Sequence, residues 1–306
     1  MDSNDKVLNN IKKLNSRNGA KTINTFDFST LYTKIPHEKL LEVLNELIDF
    51  CFKGGTHDLI AITSRYARWT SKKKHLNVVF HKELIKEAIN YLMHNCHFTF
   101  GKTLFKQIIG IPMGSDPAPY FANLFLYHFE SKWTKSLKKI DTIRARKFCN
   151  TFRFIDDLFT INDGGEFLNY FQEIYPPELQ LNHEHAGDEV NFLDLSIRKS
   201  NGRLDYKLYD KRDAFPFSIV RLPFSNSNIP NSMFYASFGA EVLRIGRVSS
   251  SLDNFLSALQ PLIRRMVKQG GQLRKIRQQL QKVYGRQPIL KSFGQNAADF
   301  CDNVLH

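Results

Sequence analysis

FRFIDDLFTIN, from Phe152 to Asn162, is the stretch on which the reading of this chain turns. Two adjacent acids, Asp156 and Asp157, are flanked by Phe152, Phe154 and Ile155 on one side and Leu158, Phe159 and Ile161 on the other. Neighbouring side chains on a regular strand point to opposite faces, so both acids can approach one ion only at the tip of a tight hairpin. Carboxylates in a buried strand pair cost on the order of several kcal/mol each unless something compensates them. A divalent cation with oxygen ligands is one such compensation. Taken alone, an Asp-Asp pair is more often a surface turn.

Working outward, KTINTFD (Lys21 to Asp27) reads as a short buried strand ending on a third acid. With the two strands as neighbours, Asp27, Asp156 and Asp157 meet at one sheet edge. That arrangement suits two metal ions that stabilise the attacking and leaving oxygens of an in-line phosphoryl transfer. Pro36 to Cys51 predicts a helix with Leu40, Leu44, Leu47, Ile48 and Cys51 on one face. Residues 56–79 read as irregular and basic in the middle (Arg65, Arg68, Lys72, Lys73, Lys74), and His81 to Cys96 as a second helix.

His97 to Ile109 reads as a hairpin turning at Gly101-Lys102, and the turn GIPMGSDPAP (Gly110 to Pro119) feeds a helix over Tyr120 to Leu137. Glu166 to Tyr175 is a short helix stopped by Pro176-Pro177. Leu179 to His183, Asn191 to Ile197 and Leu204 to Tyr209 read as strands, and the chain beyond Ser249 as helical. The order strand, helix, helix, hairpin, helix, strand predicts an α+β fold, a βαββαβ antiparallel sheet with helices on one face.

Lys and Arg number 43 against 30 Asp and Glu, a net charge of +13 with a pI near 9.5, which suits a polyanionic partner. The location of the charge sharpens this. No acid occurs from Asn254 to Ala298, yet Arg264, Arg265, Lys268, Arg274, Lys275, Arg277, Lys282, Arg286 and Lys291 do. A merely solvated face mixes both signs, whereas one-signed segments of this length more often touch phosphate. Cys51, Cys96, Cys149 and Cys301 are scattered without a CxxC pair, which disfavours a disulfide framework or zinc knuckle. No run approaches the roughly 20 apolar residues of a membrane span, and Met1 to Asn10 lacks an apolar signal segment. These features predict an intracellular protein, nuclear or cytoplasmic, neither exported nor in a membrane.

Four ordered motifs carry a resemblance: FDFSTLYTKIP (Phe26 to Pro36), GIPMGSDPAPYFANLFL (Gly110 to Leu126), FIDD (Phe154 to Asp157) and NFLDLSI (Asn191 to Ile197). They resemble the palm motifs of reverse transcriptases, most of all those of Penelope-like retroelements, over about half of the chain. The resemblance implies an RNA-directed DNA polymerase with a right-hand palm and a basic helical thumb. It implies two Mg2+ ions (Mn2+ as a substitute), an RNA template, a DNA primer and deoxynucleoside triphosphates.

By the same resemblance, Asp27 and Asp156 bridge the metals, Asp157 is the weaker ligand, and Phe28 contributes its carbonyl. Tyr32 falls where the family places an aromatic ring that blocks a 2′-hydroxyl. Gln107, Gly110, Pro112, Met113 and Gly114 match the segment contacting the incoming nucleotide. Phe154, where retroviral enzymes carry Tyr, lies against the primer end. Asn191, Phe192 and Leu193 match the primer grip, in which Asp194 is structural. Arg264, Arg265, Lys268, Arg274, Lys275 and Arg277 track the duplex backbone as thumb residues.

The implied layout is a polar lead (1–20), a palm with partial fingers elements (21–197), a strand and loop connection (198–248) and the thumb (249–306). Only 26 residues precede Asp27, where the family carries fingers strands that grip the triphosphate. Lys12, Lys13, Arg17 and Lys21 lie there without a matching element. The alternative to an active enzyme is a truncated relic that binds RNA or an RNA–DNA hybrid without polymerising.

Overall fold

The computed structural model describes residues 4–53, 58–71, 78–217 and 219–305. The chain opens with helix α1 (Asn4–Asn15), which buries Val7, Leu8 and Ile11 and carries Asp5 in its first turn and Lys12 and Lys13 in its last, matching the helix dipole. The stretch expected as a polar lead is thus an amphipathic helix. Strand β1 (Ile23–Phe28) follows, then α2 (His37–Lys53), whose Leu40, Leu41, Val43 and Leu44 are buried.

Next come β2 (Leu59–Ile62), β3 (Ala67–Thr70) and β4 (Val78–His81), a small antiparallel sheet in the order β3-β2-β4. The sequence reading had this region irregular. Each strand is only four residues long, and Ala61 is the one fully buried residue among the three, so no apolar alternation marks them. Lys72, Lys73 and Lys74 lie outside the described residues.

His81 Nδ1 accepts from the Leu84 amide at 3.2 Å and caps α3 (Lys82–His94). The hairpin of β5 (His97–Phe100) and β6 (Thr103–Lys106) turns at the expected Gly101-Lys102, with Gly101 at φ 62. It forms its own two-stranded sheet with both faces exposed, and so is not the ββ pair of the main sheet. Helix α4 (Ala118–Ile140) buries Phe121, Ala122, Phe125 and Leu126, and α5 (Thr142–Lys147) is capped by Asp141. Then come β7 (Thr151–Phe154), β8 (Asp157–Ile161), α6 (Phe167–Ile174) and β9 (Leu181–Ala186).

The principal sheet has the order β7-β8-β1-β9, so two strands far apart in sequence lie at its centre. The chain divides into two compact units, and Phe26–Leu158 with Asp163–Glu184 make up the first. Its core joins Phe26 and Phe28 of β1 and Leu158 of β8 to the apolar faces of α2, α4 and α6. Burying a Phe or Leu side chain contributes about 1.5–3 kcal/mol, and these strand residues all sit on one face of the sheet. The α+β class, an antiparallel sheet covered by helices on one face, is therefore the observed one.

Asp2–Thr25, Phe159–Asn162 and His185–His306 make up the second unit. It contains β10 (Glu189–Phe192), β11 (Leu195–Ser200) and β12 (Arg203–Leu208), an antiparallel meander. Asn191 to Ile197, expected as one strand, breaks at Leu193, whose φ of 55 starts the turn into β11. Four helices follow: α7 (Asn231–Arg247), α8 (Leu252–Lys268), α9 (Leu273–Arg286) and α10 (Ala297–Leu305). Phe234, Phe238, Val242, Phe255, Leu259, Ile276, Leu280 and Phe300 form their shared core. The helical region thus begins at Asn231, within the stretch expected as a connection. Among the described residues no helix is long and apolar enough to cross a membrane.

Candidate active site

The chain reverses between β7 and β8 over Ile155 and Asp156 alone. Ile155 takes φ 56, a left-handed conformation that costs a β-branched residue about 1–3 kcal/mol. Two backbone bonds fix how β8 meets β1. The Phe28 amide donates to the Asp156 carbonyl at 3.1 Å, and the Asn162 amide donates to the Thr22 carbonyl at 2.9 Å. In this single antiparallel register Asp27 falls directly opposite Asp157, at a non-hydrogen-bonded position where Cα atoms stand about 4.5 Å apart.

Alternation agrees. Phe26, Phe28 and Leu158 face the helices, so Asp27 and Asp157 both face the other way. Like charges in such a pair repel, and a cation shared between them turns the repulsion into attraction.

Asp156 occupies the turn beside this pair and is half-buried, as are Asp27 and Asp157. Among the described residues no three His, Cys, Asp or Glu side chains stand together as a ready ligand set. The carboxylates share an edge and a neighbourhood without forming a closed cage. Mg2+ does not need one, since it is usually held by one or two carboxylates, with water and substrate phosphates completing its shell. The hard oxygen donors present here suit that ion.

Tyr32 lies in the loop after β1. Burial, and then the negative charge of Asp156, push its phenol above the ordinary range, so ring and acid are neighbours. Gly110 is built onto the same loop. Its amide donates to the Ile35 carbonyl at 2.8 Å, the Ile111 amide donates to the Tyr32 carbonyl at 2.9 Å, and His37 Nε2 donates to the Gly110 carbonyl at 2.8 Å. A Cβ on Gly110 would stand 2.3 Å from the Tyr32 carbonyl oxygen, and φ is +86. This glycine lets one loop backbone lie directly on another.

Pro112 is buried, whereas Met113 is 73% exposed and Gly114, at φ +90, borders open space. Gln107 Nε2 donates to the Ile109 carbonyl at 3.0 Å. Tyr32 thus stands near Asp156, and Gly110 and Ile111 pack on the backbone of the loop that carries it. His183 is exposed and stacks on Phe26 at 4.8 Å.

In the second unit, Asn191 pairs with Ser196 and Phe192 with Leu195. Phe192 is only 2% exposed and stacks on Phe159 at 5.3 Å, so its side chain belongs to the core. Asp194 accepts from Arg244 Nε at 3.0 Å and from the Asn4 amide group, as a structural acid would. Arg264, Lys268, Arg274 and Lys275 are exposed, while Arg265 and Arg277 are half-buried. Arg277 pairs with Asp302 at 2.7 Å, and Lys275 lies over the Tyr235 ring. The sequence reading passed over Arg153, Ile155 and His37, whose parts depend on contacts distant in sequence.

No family model matches the chain, and no curated protein matches it. Among solved structures it is similar to telomerase from Candida albicans in complex with a TWJ fragment of telomeric RNA. The TM-score is 0.63 at 13% identity, over 96% of this chain and 49% of that one. Telomerase from Candida tropicalis is matched with the TWJ fragment (TM-score 0.49, 16% identity, 100% and 49% covered) and in the apo form (TM-score 0.47, 14%, 98% and 49%). The chain spans about half the length of these proteins. At such identity the Candida albicans match speaks to fold alone: over nearly its whole length the chain shares the fold of about half of that telomerase.

Proposed function

We propose that the chain is the palm and thumb of an RNA-directed DNA polymerase, of the Penelope-like type its motifs resemble, joining deoxynucleotides to a primer 3′-hydroxyl. The observation that carries this reading is the register opposing Asp27 to Asp157 beside Asp156. Asp27, Asp156 and Asp157, with the Phe28 carbonyl, are the groups to hold two Mg2+ ions. When bound, such ions neutralise the triphosphate and stabilise the attacking and leaving oxygens. Tyr32 excludes a 2′-hydroxyl by its bulk, and the backbone of Gly110 to Gly114 receives the base and sugar. Arg264, Lys268, Arg274 and Lys275 supply cations for the backbone of the template–primer duplex.

The second reading is a palm and thumb that holds RNA or a hybrid without polymerising, resting on the same basic helices α8 and α9. Primer extension on an RNA template with Mg2+ separates the two. The enzyme reading expects extension by the wild-type chain and a loss on the order of 100-fold or more in Asp156→Ala. Extension surviving that substitution refutes the site, and hybrid binding without extension favours the relic.

A further inference from the structure

We infer that Arg153 is a positioning residue that clamps the strained turn presenting Asp156 and Asp157. Its catalytic consequence rests on the function proposed above; the clamp itself does not. Arg153 lies on β7 two residues before Ile155, and its side chain is only 10% exposed. The guanidinium meets Glu130 of α4 as a fork, Nε to Oε1 at 2.5 Å and Nη2 to Oε2 at 3.0 Å. Asn123, two turns earlier on α4, receives Nη1 at its Oδ1 (2.8 Å) and Nη2 at its carbonyl (3.3 Å).

The same Nη1 also donates to the Ile155 carbonyl at 3.2 Å. That carbonyl belongs to the residue held at φ 56, and the next residue is Asp156. The buried Tyr175 hydroxyl donates to Glu130 Oε1 at 2.8 Å, which orients the carboxylate from behind.

An isolated ion pair would anchor β7 to α4 and nothing more. Here the fixed fork of one arginine carries the helix's position to the turn's carbonyl, and the turn stays in a conformation Ile155 would not choose alone. Lysine has no fork and cannot make both sets of bonds at once. The turn in turn sets the Asp156 carbonyl that the Phe28 amide holds, and with it the register of the acids.

The test is amide hydrogen exchange of the full chain, read at Phe28 and at Phe125 in α4. Arg153→Lys should speed exchange at Phe28 about 10-fold with little change at Phe125. Adding Ile155→Asn, which accepts a left-handed backbone at low cost, should restore protection at Phe28. Unchanged exchange at Phe28 in Arg153→Lys overturns the inference, as does failure of Ile155→Asn to restore it. Should Arg153→Lys not fold, Asn123→Ala, which loosens the guanidinium while leaving the Glu130 fork, takes its place with the same two outcomes. In a chain that extends primers, Arg153→Lys should lower kcat at unchanged nucleotide KM. In one that does not, the exchange result stands by itself, so failure of the clamp and failure of the polymerase reading are told apart.

Discussion

Gly110 shows how much of the site rests on single residues. A side chain there meets the Tyr32 carbonyl at 2.3 Å, and backbone cannot swing aside as a flexible side chain can. Gly110→Ala should destabilise the chain by about 3 kcal/mol or more in urea unfolding, because a clash adds to the conformational cost. Gly114→Ala, at a similar φ but beside open space, should cost only about 1–2 kcal/mol.

His37, which bonds the same Gly110, gives a pH signature. Burial lowers its imidazole pKa from 6.5, the bond to the Gly110 carbonyl partly opposes this, and the charges of His94 and Lys106 add to the lowering. The unfolded chain therefore takes up this proton first. The stability His37 contributes is whole above about pH 6.5 and is lost as the pH falls through the lowered value. Melting temperature should drop more steeply from about pH 7 to about pH 5 in the wild type than in His37→Gln.

That Asp27 lies beside Asp156 and Asp157 at one sheet edge was legible in the sequence, because all three acids border apolar strand runs. Ile155 was not, since a positive φ at a β-branched residue leaves no trace in composition, and Arg153 was not, since its meaning comes from Asn123 and Glu130.

At the scale of elements, β1, α2, α3 and α4, which follow apolar periodicity, and the β5–β6 hairpin, marked by its Gly101 turn, were read to within about three residues at each end. The misses share a cause. β2, β3 and β4 are four-residue strands with little buried surface, so tertiary pairing and not local pattern forms them. β10 and β11 looked like one strand because NFLDLSI contains no glycine or proline to mark a turn. The turn is held instead by Asp194, which ties it to Arg244 of α7 and to Asn4 of α1. Both partners of the Asp194–Arg244 pair are about a quarter exposed, at 26% and 29%. Asp194→Ala should therefore cost only about 1 kcal/mol in denaturant unfolding.

For the molecule as a whole, sequence reading recovered the α+β class and the helical, basic C-terminal region. It placed the start of that region too late, because α7 carries few charges and its Phe234, Phe238 and Val242 are buried among neighbours invisible in its own sequence. The cations of α8 and α9 belong to this scale, since their effect on a polyanion is collective. Binding of an RNA–DNA hybrid should weaken as salt rises. Replacing Lys268 and Arg274 together by Gln should reduce the slope of log K against log salt by about 2 if both meet phosphate. An unchanged slope would remove these helices from the interface.

Everything depends on the acids of β1 and β8 sharing divalent cations. The direct measurement is Mn2+ binding followed by electron paramagnetic resonance, on the chain with a hybrid and a deoxynucleoside triphosphate, for the wild type and for Asp27→Asn and Asp157→Asn. Bound Mn2+ that weakens at least about 10-fold in each variant, while neither variant loses stability without metal, is the predicted result. Equal Mn2+ affinity in all three proteins would contradict the account.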